Sequence, residues 1–182
     1  MDGCARFVVD VEETPGPVDI LIDNAGGSRD TTLRTMTREQ WNAVLNTIPD
    51  SVFNISRHLA GGMMERGFGR IINISSINGQ RGQIDHTRYA AATAGVHGFT
   101  MTLAQEVARK GVTVNTVSPG YIVTENVSAA PEEARKQVVA RIPVGRPGAP
   151  EDVAYVIDFL SAPEAGFNTG ADFAAIGGQH MM

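Results

Sequence analysis

The sequence predicts an α/β fold, a parallel sheet with helices packed on its faces. Apolar runs at residues 18–22, 70–74 and 112–117 are short, rich in β-branched side chains and bounded by turn residues, the pattern of strands buried on both faces. Longer segments with helical periodicity lie between them, so strand and helix alternate along the chain. No internal repeat or linker-like stretch interrupts this order, and 182 residues suit one domain.

Residues 7–13 fit the tail of a helix that Thr14-Pro15-Gly16-Pro17 stops, because proline cannot continue a helix. The strand at 18–22 closes into the loop Asp23-Asn24-Ala25-Gly26-Gly27. Thr37 and Gln40 have capping-box spacing, so a helix starts there with Trp41, Val44 and Leu45 on its inner face. A second helix covers 51–66, with Pro49 suited to its first turn and Gly61-Gly62 weakening its later part. Gly67-Phe68-Gly69 ends it and feeds the strand that begins at Arg70 and delivers Ser76 to its end. After a polar loop, Tyr89 opens a long alanine-rich helix at 89–110 that Lys110-Gly111 stops. The strand at 112–117 leads into Ser118-Pro119-Gly120-Tyr121. Helices at 131–140 and 151–161, separated by a Pro- and Gly-rich loop at 143–150, precede a last strand at 171–176 and Gly177-Gly178.

Net charge is -5, and Lys and Arg are scattered among acidic residues, which disfavours a nucleic-acid partner. The single cysteine, Cys4, cannot form an intramolecular disulfide. His58, His86, His97 and His180 are dispersed and no cluster has zinc-ligand spacing, so no metal site is expected. Without a basic leader or a run approaching about 18 apolar residues, the chain is expected to be soluble and cytoplasmic, with no membrane partner. Met63-Met64 and Met181-Met182 read as packing or tail residues, and Glu132-Glu133 as a solvated first helical turn.

In open parallel sheets ligands sit beyond the carboxyl ends of the strands. Three loops converge there: Asn24-Ala25-Gly26, Ser76 onward, and Pro119-Gly120. The Ser76 hydroxyl and the Tyr89 phenol, arriving together at that edge, suit proton donation to a carbonyl. Taken singly, Ser76 reads more readily as the start of a turn and Tyr89 as an ordinary half-buried aromatic, so the surrounding pattern has to decide.

That pattern is Asp23-Asn24-Ala25-Gly26 after one strand, Ser76 after a second, Tyr89 opening a long helix and Ser118-Pro119-Gly120 after a third. In order and spacing it resembles the short-chain dehydrogenase/reductase family over nearly the whole chain. Finer stretches, Gly69-Arg70-Ile71-Ile72-Asn73-Ile74-Ser75-Ser76, Ala104-Gln105-Glu106-Val107 and Thr169-Gly170-Ala171-Asp172-Phe173 among them, are similar to its NADPH-dependent acetoacetyl-CoA reductases and 3-oxoacyl-carrier-protein reductases. The resemblance implies a partial Rossmann-like doubly wound parallel sheet that lacks its first strands. It implies hydride transfer from NADPH to the 3-oxo group of a thioester such as acetoacetyl-CoA, with Tyr89 giving the proton and Ser76 holding the carbonyl oxygen. Asn24, Ala25 and Gly26 would line the adenosine side, with Pro119, Gly120, Ile122 and Thr124 bordering the nicotinamide and Tyr89 touching both cofactor and substrate. Gln83 and Tyr121 would lie near substrate. Relatives use helices matching 51–66 and 89–110 for tetramer contacts, so a homo-oligomer, or pairing with a full-length paralogue, is expected.

Four departures accompany the match. No G-x-x-x-G-x-G phosphate loop occurs near the N-terminus, which weakens the expected grip on NADPH. The lysine that follows the family's tyrosine by four residues is Thr93, on the same helical face as Tyr89 but without charge. The asparagine expected after Thr47 is Ile48, and the usual Asn-Asn-Ala-Gly begins with Asp23, a local change. Two readings follow: a reductase impaired in cofactor grip and proton transfer, or a catalytically silent remnant that acts as an assembly or binding subunit. The strand at 18–22 should also carry an open edge with exposed apolar faces.

Overall fold

A computed structural model describes residues 3–28, 31–124 and 131–181. Helix α1 (Gly3–Glu13) leads into strand β1 (Ile20–Asp23), followed by α2 (Arg38–Leu45) and α3 (Pro49–Arg66). Then come β2 (Gly69–Ile74), the short α4 (Ile77–Gln80), α5 (Thr87–Val107) and β3 (Val112–Pro119). Helices α6 (Glu132–Val139) and α7 (Pro150–Ser161) precede β4 (Asp172–Ala175). The four strands form one parallel sheet in the order β1-β2-β3-β4, with Ile22 opposite Ile72, Ile72 opposite Asn115 and Val117 opposite Phe173. This is the α/β parallel sheet that the sequence predicts, consistent with the Rossmann-like fold that the resemblance implies.

Alternation along the central strands divides the core into two faces. Ile71, Val112 and Val114 pack with Val8 of α1, Leu59 and Met63 of α3 and Val107 of α5. Ile72 and Val117 face the other way, onto Leu160, Val153, Val156 and Ile157 of α7. A further cluster of Val44, Ile48, Val52, Ala92 and Val96 joins α2, α3 and α5. Each buried aliphatic side chain contributes roughly 1.5–3 kcal/mol, so these clusters dominate the stability.

Local signals set most helix ends. Thr37 and Gln40 close their capping box, with the Gln40 amide donating to Thr37 Oγ1 (3.2 Å) and the Thr37 amide to Gln40 Oε1 (3.0 Å). Pro49 opens α3 and Gly67, left-handed at φ 73°, ends it. Gly61-Gly62 does not interrupt α3, because Leu59, Ala60 and Met63 bury its inner face regardless of the local weakness. Helix α5 begins two residues before Tyr89, and residues 108–110 form a 3-10 turn rather than continuing it. Ser118 and Pro119 belong to β3, which is longer than its apolar run. Helix α4 and a 3-10 turn at Pro163–Phe167 carry no periodic signal in the sequence.

Arg70 fastens the lower end of the sheet. Its guanidinium is buried, donates to the carbonyls of Gly69, Gly111, Ala162 and Pro163, and stacks over the Phe68 ring at 4.3 Å. At the sheet's edge, Leu21 of β1 packs on the first cluster while Ile20 and Ile22 remain 43% and 46% exposed. Helix α7 packs on β2, β3 and β4, so the apolar edge expected of β1 is open.

Candidate active site

A cavity of about 730 Å³ opens at the carboxyl ends of β1, β2 and β3. Its wall includes Asn24, Ala25, Gly26, Ser76, Tyr89, Pro119, Gly120, Ile122 and Thr124. Nine of the site residues expected from the sequence are thus brought to one cleft. The other two lie elsewhere. Gln83 is exposed on the turn before α5, where its carbonyl accepts from the His86 amide, so it does not reach the lining. Tyr121 faces two neighbouring cavities, of about 290 and 530 Å³.

Ser76 follows β2 and caps α4 from an extended backbone (φ -161°, ψ 154°). Its Oγ accepts from the Asn78 amide at 3.2 Å, which leaves the hydroxyl proton for another acceptor. Tyr89 sits in the first turn of α5, packed against the cluster of Val44, Ile48, Val52, Ala92 and Val96. The edge of one ring meets the face of the other where His86 approaches Tyr89, centroids 6.3 Å apart. His86 also lines the cavity, with Nδ1 at 2.9 Å from the Ile84 carbonyl. Spacing alone could have found it, since residues i and i+3 near a helix start share a face.

Thr93 lies beside Tyr89, as the helical spacing predicts, but it is 1% exposed and its hydroxyl turns inward. Oγ1 donates to the Tyr89 carbonyl at 2.8 Å, with the Ala90 carbonyl at 3.3 Å. Neither charge nor a free donor reaches the cavity from that position. Arg88 does not substitute for it. The side chain is buried, outside the cavity wall, with Nε and Nη1 lacking partners among the described residues. Ile48 contributes an apolar wall where a polar group could have stood.

Asp23 shapes the first loop from beneath. Its Oδ1 accepts from Ser51 Oγ (3.1 Å) and from the Ala25 amide (3.4 Å), which fixes the turn into Asn24-Ala25-Gly26. Burial pushes this carboxyl above its ordinary range, partly offset by those two hydrogen bonds. On the opposite wall Gly120 donates to the Ala175 carbonyl at 3.0 Å, and a Cβ there would come within 2.5 Å of Gln179 Oε1. Ile122 is held by a bridge to Gly148, with the Val123 amide donating to the Gly148 carbonyl at 2.8 Å. The cleft therefore has two backbone walls, a serine and a tyrosine between them, and no lysine in its lining. Among the described residues no group of three or more His, Cys, Asp or Glu could hold a metal ion, and no helix is long and apolar enough to cross a membrane.

Comparison with known proteins places these features in a family. A family model described as enoyl-(acyl carrier protein) reductase matches residues 1–180. An acetoacetyl-CoA reductase of Cupriavidus necator is 55% identical over 171 residues, 94% of this chain and 70% of the relative. An acetoacetyl-CoA reductase of Rhizobium meliloti is 51% identical over 182 residues, 100% of this chain and 74% of the relative. The 3-oxoacyl-[acyl-carrier-protein] reductase FabG of Vibrio cholerae is 44% identical over 167 residues, 92% of this chain and 68% of the relative. With a parallel sheet of the expected kind and matches of this extent, the chain belongs to the short-chain dehydrogenase/reductase family.

Proposed function

We propose that this protein is a 3-oxoacyl-thioester reductase of low turnover, with acetoacetyl-CoA as representative substrate and NADPH as hydride donor. The observation that carries the reading is that Ser76 and Tyr89 line one cavity between two backbone walls. Reduction of a ketone places negative charge on its oxygen, and donors fixed at hydrogen-bond range stabilise that charge. Ser76 would hold the oxygen and the Tyr89 phenol would give it a proton, leaving a 3-hydroxy thioester. The identity to proteins named acetoacetyl-CoA reductase supports the substrate class.

The lining suits the two ends of a nicotinamide dinucleotide. Asn24, Ala25 and Gly26 offer an adenosine wall, and Pro119, Gly120, Ile122 and Thr124 a nicotinamide wall. When bound, the dinucleotide supplies the hydride. The Thr93 hydroxyl is committed to its own helix, where the resemblance expects a lysine. A weaker hold on the cofactor and slower proton delivery would follow from a neutral side chain at that position. Thr93→Lys is expected to raise kcat/KM for NADPH-dependent acetoacetyl-CoA reduction by at least about 10-fold, worth roughly 1.4 kcal/mol. An unchanged rate would put the impairment elsewhere.

A second reading, a catalytically silent assembly subunit, is favoured by the same Thr93 and by the apolar edge of β1. Its native mass would exceed the monomer's without any turnover. A dispersed monomer contradicts it.

A further inference from the structure

A cluster of polar side chains starts at Ser75 in the cavity wall and runs behind it. His97, about two turns along α5 from Tyr89, brings Nε2 to 2.8 Å from Ser75 Oγ, 3.4 Å from Ser118 Oγ and 3.7 Å from Asp172 Oδ2. Ser75 Oγ lies 3.0 Å from the Thr93 carbonyl, and Ser118 Oγ 2.8 Å from Asp172 Oδ1. Gln80 Nε2 donates to Asp172 Oδ2.

One placement of the protons serves every one of these contacts. Each serine hydroxyl has one proton, and neither a carbonyl nor a carboxylate oxygen can donate. With the Ser75 proton on the Thr93 carbonyl and the Ser118 proton on Asp172, both hydroxyls turn lone pairs toward His97. In that placement a bare Nε2 would face two lone pairs and a carboxylate, so the proton belongs on Nε2. This is not a nucleophile-activating arrangement, which needs an unprotonated nitrogen on the serine and the carboxylate at the other ring nitrogen.

The members of the cluster adjoin the residues of the cleft. Ser75 immediately precedes Ser76, and Ser118 immediately precedes Pro119 and Gly120. Thr93 lies one turn beyond Tyr89 and bonds back to its carbonyl. Gly79 brings α4 against the same point, where a Cβ would stand 3.0 Å from the Thr93 carbonyl carbon and 3.2 Å from Ser75 Oγ. We propose that His97, held as its Nε2–H tautomer, is a positioning residue that fixes Ser75 on the Thr93 carbonyl and so sets Ser76 against Tyr89. Its consequence for rate rests on the reductase reading; its geometry does not.

The test compares the parent with His97→Gln, which keeps a donor near the Nε2 position, and His97→Leu, which fills the space without one. Ring-nitrogen NMR on the parent should show a proton on His97 Nε2, and a bare Nε2 would overturn the proposal. In acetoacetyl-CoA reduction His97→Leu should lower kcat on the order of 10²-fold with KM unchanged, while His97→Gln stays near the parent. Equal loss in both variants, or a loss carried by KM, would overturn it as well. A parent that reduces no acetoacetyl-CoA would count against the reductase reading alone. The positioning role is then read from the Tyr89 ring carbon signals, expected to shift in His97→Leu and hold in His97→Gln; signals unmoved in both would refute it. Should His97→Leu not fold, Ser75→Ala removes the same link and is held to the same outcomes.

Discussion

Asp23 ends β1 with its side chain buried, two hydrogen bonds on Oδ1 and no partner for Oδ2 among the described residues. Because burial raises its pKa, the folded chain holds this proton more tightly than the unfolded chain does. The resulting stability is fully present below the unfolded value of 3.8 and is lost as pH rises through the higher folded value. Asp23→Asn should therefore stabilise the protein at pH 7, on the order of 1 kcal/mol, with the gain vanishing in acid. Urea unfolding across pH measures this, and a gain that persists unchanged below pH ~3 would contradict it. At this scale the sequence is partly legible. Residue type and position after a strand and at a helix start make Ser76 and Tyr89 candidates, the family resemblance decides for them, and the cleft contains both. His97, Ser75, Ser118 and Asp172 cannot be read that way. They lie on different elements, and only the sheet and the packing of α5 bring them within bonding range.

Gly111 links α5 to β3 in a left-handed conformation at φ 75°, and a Cβ there would run into the Gly67 carbonyl oxygen. Gly67 is itself left-handed at φ 73° where α3 turns into β2, so two helix-to-strand connections touch at one spot. Arg70 adds its bonds to the Gly69 and Gly111 carbonyls there. Gly111→Ala is expected to cost on the order of 2 kcal/mol, since it adds both strain and a backbone clash. Chemical denaturation would report it as a lower midpoint with an unchanged slope, and a neutral effect would contradict the close approach. Elements with strong local chemistry are legible in the sequence: the capping box at Thr37, the glycine stops at 67 and 111, and the buried strands at 70 and 112. Boundaries drift where tertiary packing supplies the signal instead. Helix α3 runs through Gly61-Gly62, β3 continues past its apolar run to Pro119, and α4 is held by a serine cap rather than by periodicity.

Across the whole molecule the sheet is covered unevenly. Helices α1, α3 and α5 close one face, whereas α7 covers β2, β3 and β4 on the other and leaves Ile20 and Ile22 of β1 open to solvent. An apolar edge strand of this kind favours association. Ile20→Lys is expected to lower the native mass, or the concentration dependence of the unfolding temperature, if that edge is where molecules meet. Identical sedimentation of variant and parent would place any association elsewhere. The same sheet presents Ser76 and Tyr89 to the cleft, and the central claim is that this pair reduces a 3-oxoacyl thioester. NADPH oxidation with acetoacetyl-CoA, followed for the parent and for Tyr89→Phe at equal concentration, tests it most directly. The account predicts slow, saturable turnover in the parent and a loss on the order of 10²-fold or more in Tyr89→Phe. A variant that reduces acetoacetyl-CoA as fast as the parent would contradict it.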